Sequence, residues 1–198
     1  MTDLDICERF TVIQEEGFQR RPMTGDPGGA TNWGVTVATL SLYRQHPCTA
    51  DDVWNLTQAE ALEVFHVLYY NAVRADDLYS GLNLMISDHA FNAGPRGAGL
   101  ALQTALGFQG DALDGWIGRD TITAVQNLDS TKRELFLTTV AEQMRKQYES
   151  FGDYAQFGQE WVGDPQASDS WRRLGRLGRR LRVATLMVSG ATDFPLAP

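Results

Sequence analysis

The sequence predicts a mainly α-helical domain in which a short β-hairpin or extended segment follows the first helix. Apolar residues recur at helical spacing over most of the chain, and capping residues and glycines mark where these segments begin and end. One stretch rich in glycine and proline, residues 22–36, interrupts this rhythm. No change of composition marks a strong boundary, so the 198 residues predict one domain, residues 1–198.

The first helix is expected over residues 3–16, because Leu4, Phe10 and Ile13 recur at helical spacing and Gly17 can end it. The turn residues that follow lead into an extended segment, NWGVTV. Thr57 begins a capping box with Glu60, and glycines follow two of the later helices. The remaining helices are expected over 37–46, 57–71, 82–94, 96–106, 118–128 and 131–151.

The last helix is amphipathic. Its apolar face carries Trp171, Leu174, Leu177 and Leu181, and the opposite face carries arginines. A solvated face is the favoured interpretation of these arginines, and a binding patch is the alternative. The arginines are Arg172, Arg173, Arg176, Arg179, Arg180 and Arg182.

Composition excludes several classes of protein. The formal net charge of −8 argues against a general nucleic-acid binder, which needs surplus lysine and arginine. No apolar run is long enough to predict a membrane span. The N-terminal residues MTDLDICERF lack the pattern of a signal peptide, so we expect synthesis in the cytoplasm.

Cysteine and histidine give little indication of metal or nucleophilic chemistry. Cys7 and Cys48 form no disulfide framework and fit no metal motif; free thiols are favoured, and a single bridge stays open. His46, His66 and His89 lie outside any HExxH motif, and GxSxG is absent. We therefore expect no metal and no cofactor.

Carboxylates are the better candidates for catalysis. Glu15 lies near the end of an apolar helix, where partial burial favours the protonated carboxyl that a departing glycosidic oxygen requires. Asp26 follows on the glycine-rich turn, and Thr31 begins the extended segment, so the two could hold a water molecule. The alternative is a solvated charge at Glu15 and a turn-forming role for Asp26, and composition alone favours this alternative.

The stretch EEGFQRRPMTGDPGGATNWGVT, residues 15–36, resembles the signature of glycoside hydrolase family 108, the N-acetylmuramidases similar to phage endolysins. Glu15 falls on the first glutamate of that signature, and the block from Asp26 to Thr36 follows it almost without change. There are two departures. Glu16 replaces a glycine and so competes for the role of acid, and a short insertion precedes Asp26.

The resemblance extends over most of the chain. LYYNAV at 68–73 and SDHAFNAGP at 87–95 are similar to further family motifs, and SWRRL at 170–174 is similar to its terminal motif. The stretch 102–125 resembles the region that binds peptidoglycan in such enzymes. The resemblance thus implies a lysozyme-like fold, with a catalytic part at 8–95 and a helical part at 96–180 that is similar to peptidoglycan-binding regions.

The resemblance also implies an activity and a site. The activity is hydrolysis of the β-1,4 bond between N-acetylmuramic acid and N-acetylglucosamine in the glycan strands of peptidoglycan. Glu15 would be the general acid, and Asp26 with Thr31 would orient water, an arrangement that suggests inversion. Contact with substrate is expected from Trp33, Tyr70, Asp88, Asn92, Gln103 and Trp116.

Two alternatives stay open beside this activity. One is a lytic transglycosylase, which needs no carboxylate to activate water. The other is a non-catalytic murein-binding or structural protein of a phage-like particle. The expected place of action is the cell wall, reached in the periplasm after release or delivery. A holin, a secretion system or an immunity protein is a conceivable partner for such an enzyme.

Overall fold

Helices dominate the computed structural model, which describes residues 1–13, 19–20, 29–152, 154–164, 166 and 170–195. The mainly α architecture expected from the sequence is confirmed. The α-helices of the described residues are α1 (Asp3–Glu8), α2 (Val37–Arg44), α3 (Ala50–Trp54), α4 (Gln58–Phe65), α5 (Leu82–Ala105), α6 (Arg119–Gln126), α7 (Arg133–Ser150), α8 (Tyr154–Val162) and α9 (Ser170–Val188).

Short turns of other helical types connect some of these elements. A π-helical turn, Arg9–Ile13, extends α1, and a second one, His66–Tyr70, extends α4. Single 3-10 turns lie at Ala75–Asp77, Gly110–Ala112 and Ser130–Lys132. The expected helix stop at Gly17 lies outside the described residues.

A small antiparallel sheet follows the first helical segment, as expected. Its strands are β1 (Gln19–Arg20), β2 (Ala30–Asn32) and β3 (Val35–Thr36), with β2 in the centre. Thr31 of β2 pairs with Gln19 on one side and with Thr36 on the other. The sheet therefore holds Thr31 on its central strand.

Threonine caps begin several helices. The hydroxyl of Thr57 accepts a hydrogen bond of 3.2 Å from the backbone N–H of Glu60, which confirms the expected start of α4. Thr49 caps α3 in the same way, with Asp52 completing a capping box. The sequence analysis did not predict helix α3, although the capping box of Thr49 and Asp52 is a sequence signal for its start.

Helix α5 breaks where the sequence predicts a stop. Gly94 has φ 77° and ψ 155°, which are not helical angles, and the helix resumes at Pro95. A proline in the first helical position is favourable because its nitrogen has no hydrogen to leave unbonded. The two expected helices, 82–94 and 96–106, are therefore the two halves of α5.

The first half of α5 is the centre of the core. Its residues from Leu82 to Ala90 are all buried, and α1, α7, α9 and the π-helical turn His66–Tyr70 pack around the helix. Gly81, which precedes it, has φ 91°, and a Cβ there would lie 2.4 Å from the carbonyl oxygen of Ala184. Only glycine allows this approach of α9. None of the helices described has both the length and the apolar composition needed to cross a membrane.

Helix α9 corrects one expectation from the sequence. The solvated-face interpretation is wrong for Arg176 and Arg180, whose side chains are only 12% and 0% exposed. Both contact the carboxylate of Asp88 on α5. The arginine face of α9 therefore points in part into the core. Both cysteines are free thiols, Cys7 buried and Cys48 partly buried.

Candidate active site

The two carboxylates proposed for catalysis, Glu15 and Asp26, lie outside the described residues. The structure does describe the framework on either side of them. The π-helical turn Arg9–Ile13 precedes Glu15, and β2, which contains Thr31, follows Asp26. Thr31 is partly buried.

Trp33 occupies the turn between β2 and β3. Both central residues of this two-residue hairpin have positive φ, 53° at Trp33 and 73° at Gly34. Such a turn matches the twist of paired strands and normally uses asparagine or aspartate with glycine. A bulky residue there costs on the order of 1–3 kcal/mol and persists only when its surroundings hold it. Trp33 is partly buried against the core.

Asn32 attaches this hairpin to the helices. It is only 6% exposed, and its side-chain amide donates hydrogen bonds to the carbonyl oxygens of Val53 at 3.1 Å and Leu56 at 3.3 Å. These carbonyls lie at the end of α3 and just after it. Asn32, the asparagine of the TNWG motif, is thus a buried structural residue that fixes the hairpin to the helices. The sequence analysis did not assign it this role.

Tyr70 is a core residue in this structure. It is 1% exposed, and its hydroxyl donates a 2.8 Å hydrogen bond to Asp76. Burial, followed by this bond to a carboxylate, raises the pKa of Tyr70. The neighbouring Tyr69 is only partly buried and forms a T-shaped pair with Phe91, with 5.1 Å between ring centroids. Substrate contact by Tyr70 stays a prediction, and its burial favours a structural role.

Asp88 is the centre of a buried ionic group, which we term the Asp88 cluster: Asp88, Arg176 and Arg180. The Nε of Arg176 lies 3.2 Å from both carboxylate oxygens, and the Nε of Arg180 lies 2.5 Å from Oδ2. Burial alone would raise the pKa of Asp88, but the two arginines outweigh it and hold the pKa below its ordinary value. Asp88 is therefore a carboxylate with no exposed surface.

The Asp88 cluster continues into a hydrogen-bonded chain across α5 and α7. Arg180 donates to the hydroxyl of Tyr148 at 3.0 Å, and that hydroxyl lies 3.2 Å from Nδ1 of His89. The other ring nitrogen lies 2.7 Å from Oε1 of Gln147, whose amide donates to Gly97 O. Since Oε1 can only accept, His89 carries its proton on Nε2. Burial, followed by the charge of Arg180, lowers the pKa of His89 to about 3.

Asn92 lies one turn after Asp88 and is exposed. Its amide donates a 2.7 Å hydrogen bond to the carbonyl oxygen of Asp88. The expected helical spacing of the two residues is therefore present, but only Asn92 offers surface to a ligand. The substrate contacts predicted for Asp88 and Asn92 both stay predictions.

Gln103 and Trp116 meet in the second half of the chain. Gln103 is 1% exposed; it donates to Asp114 at 2.8 Å and to Trp116 O at 3.0 Å, and accepts from Gly115 N at 2.7 Å. It therefore holds the loop before α6. Trp116 is 70% exposed on that loop and lines a cavity of about 510 Å³ together with Asp111. Both residues were predicted to contact substrate, but of the two only Trp116 has an exposed side chain that could do so.

Hydrogen bonds thus join Gln103 to Trp116 and Asn92 to Asp88, whereas Thr31, Trp33 and Tyr70 are held by separate contacts. Over the part of the chain that the structure describes, no group of three or more histidine, cysteine, aspartate or glutamate side chains could hold a metal ion. The site residues described here would act through hydrogen bonding, charge and aromatic surface.

Comparison with known proteins gives a family match for one segment of the chain. The family model described as Glycosyl hydrolase 108 matches residues 9–94, a segment that contains Glu15, Asp26, Thr31 and Asp88. Residues 9–94 belong to glycosyl hydrolase family 108. The protein is accordingly a glycoside hydrolase, and the family supports action on peptidoglycan.

Solved structures extend the likeness beyond the family 108 segment. The chain is similar to Brucella abortus SagA, with a TM-score of 0.79 and 26% identity over 93% of this chain and 95% of that one. The expected lysozyme-like fold is confirmed. No match was found among curated proteins.

The family 108 segment depends on residues that follow it. Asp88 and His89 belong to the segment, yet their side chains are satisfied by Arg176 and Arg180 of α9 and by Gln147 and Tyr148 of α7. A buried charge without partners is strongly unfavourable. The buried Asp88 carboxylate of this segment therefore has its described counter-charges, Arg176 and Arg180, in the second half of the chain.

Proposed function

We propose that this family 108 protein is an N-acetylmuramidase that hydrolyses the β-1,4 bond between N-acetylmuramic acid and N-acetylglucosamine. The observation that carries the proposal is the family match over residues 9–94, which spans the two carboxylates and Thr31. The cell wall is the proposed place of action. Release through a holin, delivery by a secretion system and inhibition by an immunity protein are further proposals that this match does not address.

Catalysis requires two carboxyl groups with different tasks. Glu15, protonated, donates its proton to the glycosidic oxygen while the bond from that oxygen to the anomeric carbon breaks. Asp26 accepts a proton from water, whose oxygen bonds to the anomeric carbon from the opposite face. The hydroxyl of Thr31 helps to orient this water. Such an arrangement inverts the anomeric configuration and needs roughly 6.5–9.5 Å between the carboxyl groups.

Exposed side chains are the best candidates for direct contact with the glycan. Trp33 and Asn92 retain exposed surface within the family 108 segment, and Trp116 does so beyond it. An aromatic ring can pack against a sugar face, and an amide can bond a hydroxyl or N-acetyl group. Tyr70, Asp88 and Gln103 are buried, which favours supporting roles for them.

Product analysis tests the proposed activity. Purified protein is incubated with purified peptidoglycan, and the released fragments are separated and weighed by mass spectrometry. Hydrolysis adds one water and leaves a reducing N-acetylmuramic acid end. A 1,6-anhydro end, lighter by one water, would identify a lytic transglycosylase instead. Reducing N-acetylglucosamine ends would show that the other glycan bond is cut, and binding without fragments would identify a non-catalytic murein-binding protein.

A further inference from the structure

Helix α9 reaches the helical segment that leads to Glu15. Nη2 of Arg176 donates a hydrogen bond of 3.3 Å to the carbonyl oxygen of Thr11, and the same guanidinium binds Asp88 through Nε and Nη2. Thr11 is fully buried in the π-helical turn Arg9–Ile13, four residues before Glu15 in the sequence. Arg176 thus connects three separate parts of the fold.

The two arginines of the Asp88 cluster are not equivalent. Arg180 is 0% exposed and directs its other bonds inward, to Tyr148 and Met144. Arg176 is 12% exposed and directs its other described bond to Thr11. Arg180 therefore serves the core, whereas Arg176 is placed to hold the backbone at Thr11, four residues before the expected acid in the sequence.

We propose that Arg176 is a positioning residue for the hydrolysis, supplied by α9 to fix the turn at Thr11 and thereby the placement of Glu15. The inference rests on the proposed function, in which Glu15 is the general acid. A π-helical turn is a rare geometry that often occurs at functional sites. A guanidinium is suited to this task because its planar fork can bind a carboxylate and a carbonyl together. Misplacing a reacting group by about 1 Å can cost on the order of 10² in rate.

Arg176 also contributes charge. Because Thr11 precedes Glu15 by four residues, we expect this charge to act on the Glu15 carboxyl as well: a nearby cation favours the ionised form, so its removal should raise the pKa of the acid. Since Glu15 must be protonated to act, the basic limb of the pH–rate profile moves to higher pH when this charge is lost. A purely structural residue would leave the limb in place.

The test compares Arg176→Gln and Arg176→Lys with wild type in the full chain. Arg182→Gln is the matched control, because Arg182 lies on the same helix and is exposed. The folded fraction comes from circular dichroism, and kcat and KM come from reducing-end release on soluble peptidoglycan strands. We expect Arg176→Gln to lower kcat about tenfold or more, to change KM less than about twofold, and to shift the basic limb upward. The control should match wild type in all three.

Other results overturn the inference. They are a loss of kcat that only follows the folded fraction, a change confined to KM, or an unmoved basic limb. If Arg176→Gln does not fold, Arg176→Lys decides, because it keeps the charge and loses the fork. We expect Arg176→Lys to keep the limb and lose at least about threefold in kcat; a wild-type kcat would refute the positioning role. Failure of the proposed function appears separately, as wild-type protein that releases no reducing ends.

Discussion

Asp88 of α5 and Arg180 of α9 form an ion pair in which neither side chain has exposed surface, although 92 positions separate them. The pair links the family 108 segment to the last helix. Removing one partner of a buried pair leaves the other charge without compensation, which costs far more than the intact pair contributes. The Asp88 cluster should therefore be decisive for stability.

We expect Asp88→Asn to lower the free energy of unfolding by about 3–5 kcal/mol, because it leaves two arginines without a carboxylate. Urea denaturation followed by circular dichroism measures the change. Glu149→Gln is the control: it breaks an exposed ion pair with Arg145 and should cost at most about 1 kcal/mol. Unchanged stability of Asp88→Asn together with a raised KM would favour the substrate contact predicted from the family.

His89 should make the fold sensitive to acid. Its pKa is lowered from 6.5 to about 3, so between these values the unfolded chain binds a proton that the folded protein excludes. The stabilisation is complete above pH 6.5 and is lost as pH falls, by up to about 1.4 kcal/mol per unit. Unfolding free energies measured between about pH 6 and pH 4.5 should show this slope. His89→Gln should flatten it, and the same change at exposed His46 should not.

Glu15 should be required for turnover and Glu16 should not. Glu15→Gln keeps the shape of the side chain but removes the proton donor, so kcat should fall by about 10² to 10⁴. Glu16→Gly, which restores the family glycine, should retain most activity. Reducing-end release measures both variants. An active Glu15→Gln enzyme beside an inactive Glu16→Gln enzyme would assign the acid to Glu16.

Asp26 should act mainly in the transition state. Asp26→Asn should lower kcat strongly and leave binding to peptidoglycan nearly intact, because the lost interaction matters when water attacks. Thr31→Val should lose less, since a hydroxyl contributes one hydrogen bond to that water. Rate and pull-down assays give the two quantities, and NMR of the fresh product gives its anomeric configuration. Near-normal kcat in Asp26→Asn, or retention of configuration, would contradict the proposed role.

Trp116 and Gln103 should respond differently to mutation. Trp116 is 70% exposed, so Trp116→Ala should weaken substrate affinity with little change in kcat or folding. Gln103→Leu leaves Asp114 and Gly115 without hydrogen bonds that Gln103 now provides, so it should lower the free energy of unfolding by about 1–3 kcal/mol. Thermal unfolding and binding to peptidoglycan separate the two effects. A loss confined to kcat in Trp116→Ala would place this residue in the chemical step instead.

Local signals predicted much of the fold. The cap at Thr57 and the break at Gly94 depend on backbone hydrogen bonds and φ angles within a few residues, so the sequence shows them directly. Helix α8 was not predicted, because its short segment lies beside linker-like composition. The inward direction of Arg176 and Arg180 was not predicted either, since their partner lies on another helix.

In the candidate site, too, features set by local sequence were predicted and features set by contacts between distant segments were not. The motif around Asp26 indicated the family because residue types in a fixed local order were sufficient. The burial of Tyr70, Asp88 and Gln103 depends on packing between distant segments, which spacing along one helix cannot show. Asn32 was missed for that reason: its acceptors, Val53 O and Leu56 O, follow more than twenty positions later.

The dependence of Asp88 and His89 on α7 and α9 imposes an order of events on a newly made chain. A ribosome finishes residue 94 well before it reaches Arg176 and Arg180. At about 5–20 residues per second, the interval is roughly 4 to 17 s. During that time Asp88 lacks the two arginines that bind it in the folded protein. The mature fold, and with it any attack on glycan, is therefore acquired only when the last long helix has emerged.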